Sequence, residues 1–173
     1  MSPGRAEIPV QELADQVGAT AVVVCGRERE RHECRPSAAV DCRSIRKPLL
    51  GVLFGRHVAD DRIDLDTTLA DRGIDDAVPP SLTAAERSAR VRDLLTCRSG
   101  IYHPSNHQGA GARAALPPRG AHQPGTHFYD NWDFNALGTI LERCTGMSVF
   151  DEFADIIAGP AGIQSLDRRS CRY

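Results

Sequence analysis

Ser44-Ile45-Arg46-Lys47-Pro48-Leu49-Leu50-Gly51-Val52-Leu53-Phe54 is the stretch on which the reading of this 173-residue chain turns. Lys47 is the only lysine among 21 basic residues; the others are all arginine. Arginine keeps its proton in a protein, whereas a lysine that is desolvated or near another charge can lose it. A chain that uses arginine everywhere else and lysine once marks a place where a removable proton matters. Ser44 precedes Lys47 by one helical turn, on the same face. A hydroxyl beside a deprotonatable amine is a nucleophile with its base. The plain alternative is a surface lysine that happens to follow a serine, and Ser-x-x-Lys alone does not choose between them.

The residues after Lys47 read as a helix. Leu49, Leu50, Val52, Leu53, Phe54 and Val58 cover nearly its whole circumference, which predicts a buried helix. Proline is tolerated in a first helical turn and disruptive beyond it. Pro48 therefore sets the helix start close to Ser44 and puts the serine at the positive end of the helix dipole.

Working outward, residues 10–17 read as a short amphipathic helix. Residues 21–25, Ala-Val-Val-Val-Cys before Gly26, read as a strand and turn, with a return strand over 28–34. Arg62-Ile63-Asp64-Leu65-Asp66 alternates like a short extended segment. Thr83-Ala84-Ala85-Glu86 is a capping box opening a helical region. Val91, Leu94 and Leu95 give that region an apolar face, and Ser99-Gly100 ends it. Residues 101–126 are rich in Gly, Pro, His and Ala without periodicity; so long a loop is functional or poorly ordered in most compact domains. Leu137, Ile140, Leu141 and Cys144 then mark a helix closed by Gly146. Ser148 caps a last helix, with Val149, Phe150, Phe153, Ile156 and Ile157 inward, before Pro160. About five helical segments stand against one hairpin, which is marginal without further support. The fold class is α+β, with most of its sheet missing.

The length fits one domain with a real core. Hydrophobic residues make up 41% and charged residues 25% of the chain, as in ordinary globular proteins. A net charge of −2 gives no strong pull toward nucleic acid or an anionic membrane. The alternating Arg27-Glu28-Arg29-Glu30-Arg31 reads as an exposed strand or turn rather than a basic patch. Cys25, Cys34, Cys42, Cys97, Cys144 and Cys171 form no C-x-x-C pair and read as free, mostly buried thiols in a reducing compartment. His103 and His107 have metal-pair spacing, but Pro104 and the lack of a close third ligand argue against a metal site. No cofactor is implied. No segment has signal-peptide or membrane-spanning character, so the expected location is cytoplasmic.

Five segments in order carry a family resemblance. They are Ser44-Ile45-Arg46-Lys47, Arg62 to Asp66, and Val91-Arg92-Asp93-Leu94-Leu95-Thr96-Cys97-Arg98-Ser99-Gly100-Ile101. The other two are Pro124-Gly125-Thr126 with Tyr129-Asp130-Asn131 and Leu137-Gly138, and Pro160-Ala161-Gly162-Ile163. Over about residues 20–165 the chain resembles the serine β-lactamase and penicillin-binding-protein-like hydrolases, in the class C β-lactamase-related branch. The resemblance implies a β-lactamase/transpeptidase-like fold and a small-molecule substrate with a carbonyl group. It implies Ser44 as the nucleophile that forms an acyl-enzyme and Lys47 as the group taking its proton. It implies Tyr129 as the partner that passes the proton to the leaving group, and Asn131 as a substrate-binding residue that orients Lys47. The Ser44 backbone N–H would be one oxyanion donor. Asp130 is an acid where the family often has a small residue, and would weaken a base that must lose its proton. Ser99 and Tyr102 read as turn and packing residues, and Trp132 as core.

The family's third motif, Lys-Thr-Gly or His-x-Gly on a strand after the Tyr-x-Asn loop, has no counterpart. Arg98-Ser99-Gly100 and His107-Gln108-Gly109 precede Tyr129 and are chance matches. Residues 1–173 are therefore expected to form a single, truncated domain lacking its C-terminal strands, with little turnover. Two functions stay open: a serine hydrolase acting on a β-lactam, small ester or D-amino-acid peptide, and a non-catalytic remnant or interaction module of the same fold.

Overall fold

The computed structural model describes residues 9–25, 31–34, 42–76, 81–106 and 108–163. The chain divides into two compact units, Met1–Arg43 and Ser44–Tyr173.

The first unit contains α1 (Val10–Gln16) and a hairpin of β1 (Val22–Cys25) and β2 (Arg31–Cys34). The strands are antiparallel, with Val22 opposite Cys34 and Cys25 opposite Arg31. The β-branched run at Val22–Val24 forms the strand its composition predicts. Residues 27–30 of the alternating charge cluster lie outside the described residues.

A 3₁₀ turn, Arg43–Arg46, runs into α2 (Lys47–Ala59) of the second unit. The α-helix proper thus starts at Lys47, three residues later than expected. The cause is Pro48, which has no N–H to give the Ser44 carbonyl in an α-type bond. The serine turn winds tightly instead. α2 is also less buried than its composition predicts. Leu53, Phe54 and His57 are buried, but Leu49 and Val52 are 36% and 55% exposed, and Ile45 in the turn before them is 77% exposed. Their side of the helix has no covering layer among the described residues.

Short helices follow: α3 (Ala84–Arg87), α4 (Val91–Leu95) and α5 (Ala110–Ala114). The predicted capping box forms, with the Glu86 N–H donating to the Thr83 hydroxyl at 3.2 Å and the Thr83 N–H to the Glu86 carboxylate at 2.7 Å. The helical region it opens is broken between α3 and α4. There Leu69 N–H donates to Ala89 O and Val91 N–H to Thr67 O, around a Thr68–Arg90 bridge. Extended pairing therefore sits at Thr68, not over 62–66 as predicted. Asp64 turns the earlier segment by accepting the Asp66 N–H at 2.8 Å, an Asx turn.

α6 (Asn131–Thr145) crosses the core, followed by α7 (Val149–Phe153) and a π-helical turn, Ala154–Ala158. Gly146 ends α6 with φ +74°, the left-handed cap only glycine takes without strain. Ser148 caps α7 through the Asp151 N–H. α2, α4 and α6 enclose one core that includes Phe54, Leu94, Leu137 and Leu141, and Trp132 is buried within it. Among the described residues, no helix is long and apolar enough to cross a membrane.

Candidate active site

The four predicted site residues converge within the second unit. Lys47 Nζ donates to the Tyr129 hydroxyl and, at 2.5 Å, to Asn131 Oδ1. The Tyr129 hydroxyl donates in turn to Ser44 Oγ at 3.0 Å. Serine, phenol and ammonium form one hydrogen-bonded chain, through which a proton can pass. Lys47 and Tyr129, 82 positions apart in sequence, are brought together by the fold alone.

α2 and its 3₁₀ turn position Ser44 and Lys47. Tyr129 is delivered by a different device. The turn after α4 receives the 122–128 segment: Phe128 N–H donates to Cys97 O at 2.8 Å and Gly125 N–H to Arg98 O at 2.7 Å. Arg98 Nη1 adds a bond to Gly125 O. Gly100 has φ +72°, and a Cβ there would lie 2.9 Å from the His122 carbonyl oxygen. Ser99-Gly100 thus serves turn and packing, as expected. Tyr102 donates to or accepts from His122 Nδ1 at 2.8 Å and meets Phe128 edge-on.

Asp130, the unexpected acid, caps α6 by accepting the Asn131 N–H at 2.7 Å and also accepts from Gln108 Nε2 at 3.1 Å. Burial raises its carboxyl above the ordinary value, against the backbone bonds and the Lys47 charge that favour its anion. Burial also tends to raise Tyr129, but the hydrogen bonds to Lys47 and Ser44 and the Lys47 charge outweigh it, so its phenol lies below its usual value. Phe134 was not foreseen. Lys47 Nζ lies 4.1 Å from the Tyr129 ring centre and 4.4 Å from that of Phe134, within cation–π range of both. Phe134 follows Asn131 by one turn of α6, a spacing that could have flagged it. Asp133, also missed, is buried in this first turn of α6 and bonds Ser99.

A cavity of about 400 Å³ opens at these residues, lined by Ser44, Lys47, Pro48, Leu50, Gly51, Leu95, Tyr129, Phe134 and Leu137. Ser44 is exposed and Tyr129 is 53% exposed.

Other expectations resolve more simply. His103 is buried, with Nδ1 2.5 Å from Asp76 Oδ2 and Nε2 3.4 Å from Glu86 Oε1; His107 lies outside the described residues. No group of three or more metal-ligating side chains occurs among the described residues. Cys97 is buried, Cys144 partly buried and Cys42 exposed, all as free thiols; Cys171 and the side chains of Cys25 and Cys34 lie outside the description. Trp132 donates to Asp76 at 3.3 Å from within the core.

The beta-lactamase family model matches residues 10–167. The chain belongs to the beta-lactamase family. Its fold is β-lactamase/transpeptidase-like, mostly helical in this chain. Solved structures agree. A structure of SurE is similar with a TM-score of 0.63 at 24% identity, covering 94% of this chain and 40% of that one. One of SurE with D-Leu has a TM-score of 0.61 at 22% identity, with 88% and 38% coverage. A class C beta-lactamase in complex with cefoxitin has a TM-score of 0.60 at 16% identity, with 92% and 50% coverage. The chain thus spans at most half the length of these structures. Among curated proteins, none matches the chain.

Proposed function

We propose that the chain is the helical, nucleophile-bearing part of a serine hydrolase acting on a β-lactam, small ester or D-amino-acid peptide. The observation that carries this reading is the continuous hydrogen-bonded path from Ser44 Oγ through Tyr129 to Lys47, anchored by Asn131. Ser44 Oγ attacks the substrate carbonyl, and its proton passes into the hydrogen-bonded Tyr129–Lys47 pair. The Ser44 backbone N–H is one donor to the oxyanion. As the tetrahedral intermediate collapses, the leaving group takes that proton. Water then attacks the acyl-enzyme with the same pair as base, releasing the acid and restoring Ser44.

The test is intact-protein and peptide mass spectrometry after exposure to an activated ester or a fluorescent penicillin. One acyl group should appear on Ser44, and none on a Ser44→Ala protein. An unmodified Ser44 under conditions that label a known serine hydrolase would refute the reading. It would favour the second one, an interaction module of the same fold, which draws on the exposed Ile45, Leu49 and Val52.

A further inference from the structure

Tyr129, Asn131 and Phe134 meet Lys47 Nζ, and only Phe134 does so without a polar side-chain atom. Its ring centre lies 4.4 Å from the nitrogen, and the Tyr129 ring centre 4.1 Å. The two ring centres are 6.1 Å apart, with their planes tilted by 51°. The rings thus form an open notch that holds the lysine nitrogen. Asn131 and Phe134 stand one turn apart on α6, so one helix offers Lys47 both an amide oxygen and an aromatic face. Among the described residues, no carboxylate forms an ion pair with Lys47. Two acceptors and two ring faces hold this side chain in place.

An aliphatic residue of similar volume would fill the same space. Its surface carries none of the negative charge that an aromatic face presents to an ammonium. Lys47 and Phe134 are both half-buried, so water weakens that attraction less than it does at an open surface. Lysine's flexible four-carbon stem does not hold a position by itself. That position matters, because the Lys47 hydrogen bond and charge help to keep the Tyr129 phenol below its usual value.

We propose that Phe134 is a positioning residue: its ring face holds the Lys47 ammonium against Tyr129 and Asn131, and so keeps the Ser44–Tyr129–Lys47 path assembled for acylation. The role rests on the serine-hydrolase reading of the site. The plain alternative is that Phe134 only packs, since it lies against the core and lines the cavity. Fluorine separates the two. Ring fluorines leave the size of the side chain nearly unchanged while withdrawing the negative charge of its face step by step.

Phenylalanine with one, two or three ring fluorines is placed at position 134 of the full chain. Lys47 is the only lysine, so protein made with carbon-13 lysine gives a single ε-methylene signal by NMR. In the parent, its two Hε protons should be inequivalent and shifted upfield by the rings. Along the fluorine series they should converge and move toward the position of free lysine. The maximal rate of Ser44 acylation by an activated ester, read by mass spectrometry at each protein's optimum pH, should fall in the same order. From phenylalanine to its trifluoro form the loss should be roughly five- to thirtyfold, the range that matches a cation–π contact of this kind. Phe134→Leu, which keeps apolar bulk and loses the face, should fall at least as far. An acylation rate that stays level across the fluorine series overturns the role, whatever the lysine signal does. A falling rate with an unmoved lysine signal assigns the loss to the cavity wall and overturns it too. A parent protein that is never acylated overturns the serine-hydrolase reading itself, and Phe134's part in the chemistry falls with it.

Discussion

Asp133 sits in the first turn of α6 at 1% exposure, two residues after Asn131. Burial raises its carboxyl from 3.8 to about 8; hydrogen bonds from Ser99 oppose the rise and the Asp130 charge adds to it. The unfolded chain therefore ionises this group first. Between about pH 4 and pH 8 the folded state binds more protons than the unfolded one, so stability falls as pH rises. It is fully present below the unfolded value and lost as pH climbs through the folded one. One pKa unit corresponds to about 1.4 kcal/mol. From pH 6 to pH 8, with the slope flattening near the folded value, the group should cost roughly 2 kcal/mol. Asp133→Asn keeps the shape and removes the titration. Urea unfolding of both proteins at pH 6 and pH 8 cancels the groups they share, including the histidines. The parent should lose about 2 kcal/mol more than the variant across that interval. The absolute stability of the variant is not the readout, because a buried amide brings its own hydrogen-bond demands. Equal losses within about 0.5 kcal/mol would refute the reasoning.

Three further outcomes follow from the same structure. Lys47→Arg should abolish acylation of Ser44, because it removes both the deprotonatable amine and the group that reaches Tyr129 and Asn131 together; unchanged labelling in a mass-spectrometric assay would exclude Lys47 as the proton acceptor. Gly100→Ala should destabilise by about 2 kcal/mol or more, since it joins a left-handed backbone to a clash with the His122 carbonyl; denaturant unfolding reads this, and a neutral result would mean the turn does not hold the 122–128 segment. Ile45, Leu49 and Val52 leave an apolar strip open to water, so the chain should self-associate at micromolar concentration and Val52→Glu should increase its monomer fraction, both measured by analytical ultracentrifugation.

The helices of the second unit were legible because their signals are local. Thr83 with Glu86, Gly146, and Ser148 each end or begin a helix through one or two hydrogen bonds within a turn. The breaks were less so. The 3₁₀ turn at Ser44 follows from a single missing N–H at Pro48, and the turn at Asp64 from a side chain competing with the backbone. Both were within reach of the sequence, but hydrophobic periodicity outweighed them. The exposed side of α2 was not legible at all. Composition reports how apolar a face is, and the presence of a layer to cover it depends on the rest of the fold. At the site, Ser44, Lys47, Tyr129 and Asn131 could be found because each belongs to a short motif. Asp133 and the Cys97–Gly100 turn act by holding those four in place, over long sequence separations, and leave no motif of their own.

The lone lysine now has two explanations that differ in what they require. One is the removable proton. The other is geometric: Lys47 places a compact ammonium between two aromatic rings at 4.1 and 4.4 Å while donating to both Tyr129 and Asn131. A guanidinium is planar and wide, with its donors fixed in a fork, and cannot converge on a phenol and an amide oxygen from between those rings. Fit alone therefore accounts for lysine here, whether or not the proton ever leaves. The pH dependence of acylation separates the two. A base that must lose its proton gives a rate that rises with pH, and a lysine kept for its shape and charge gives a rate that falls as that charge is neutralised.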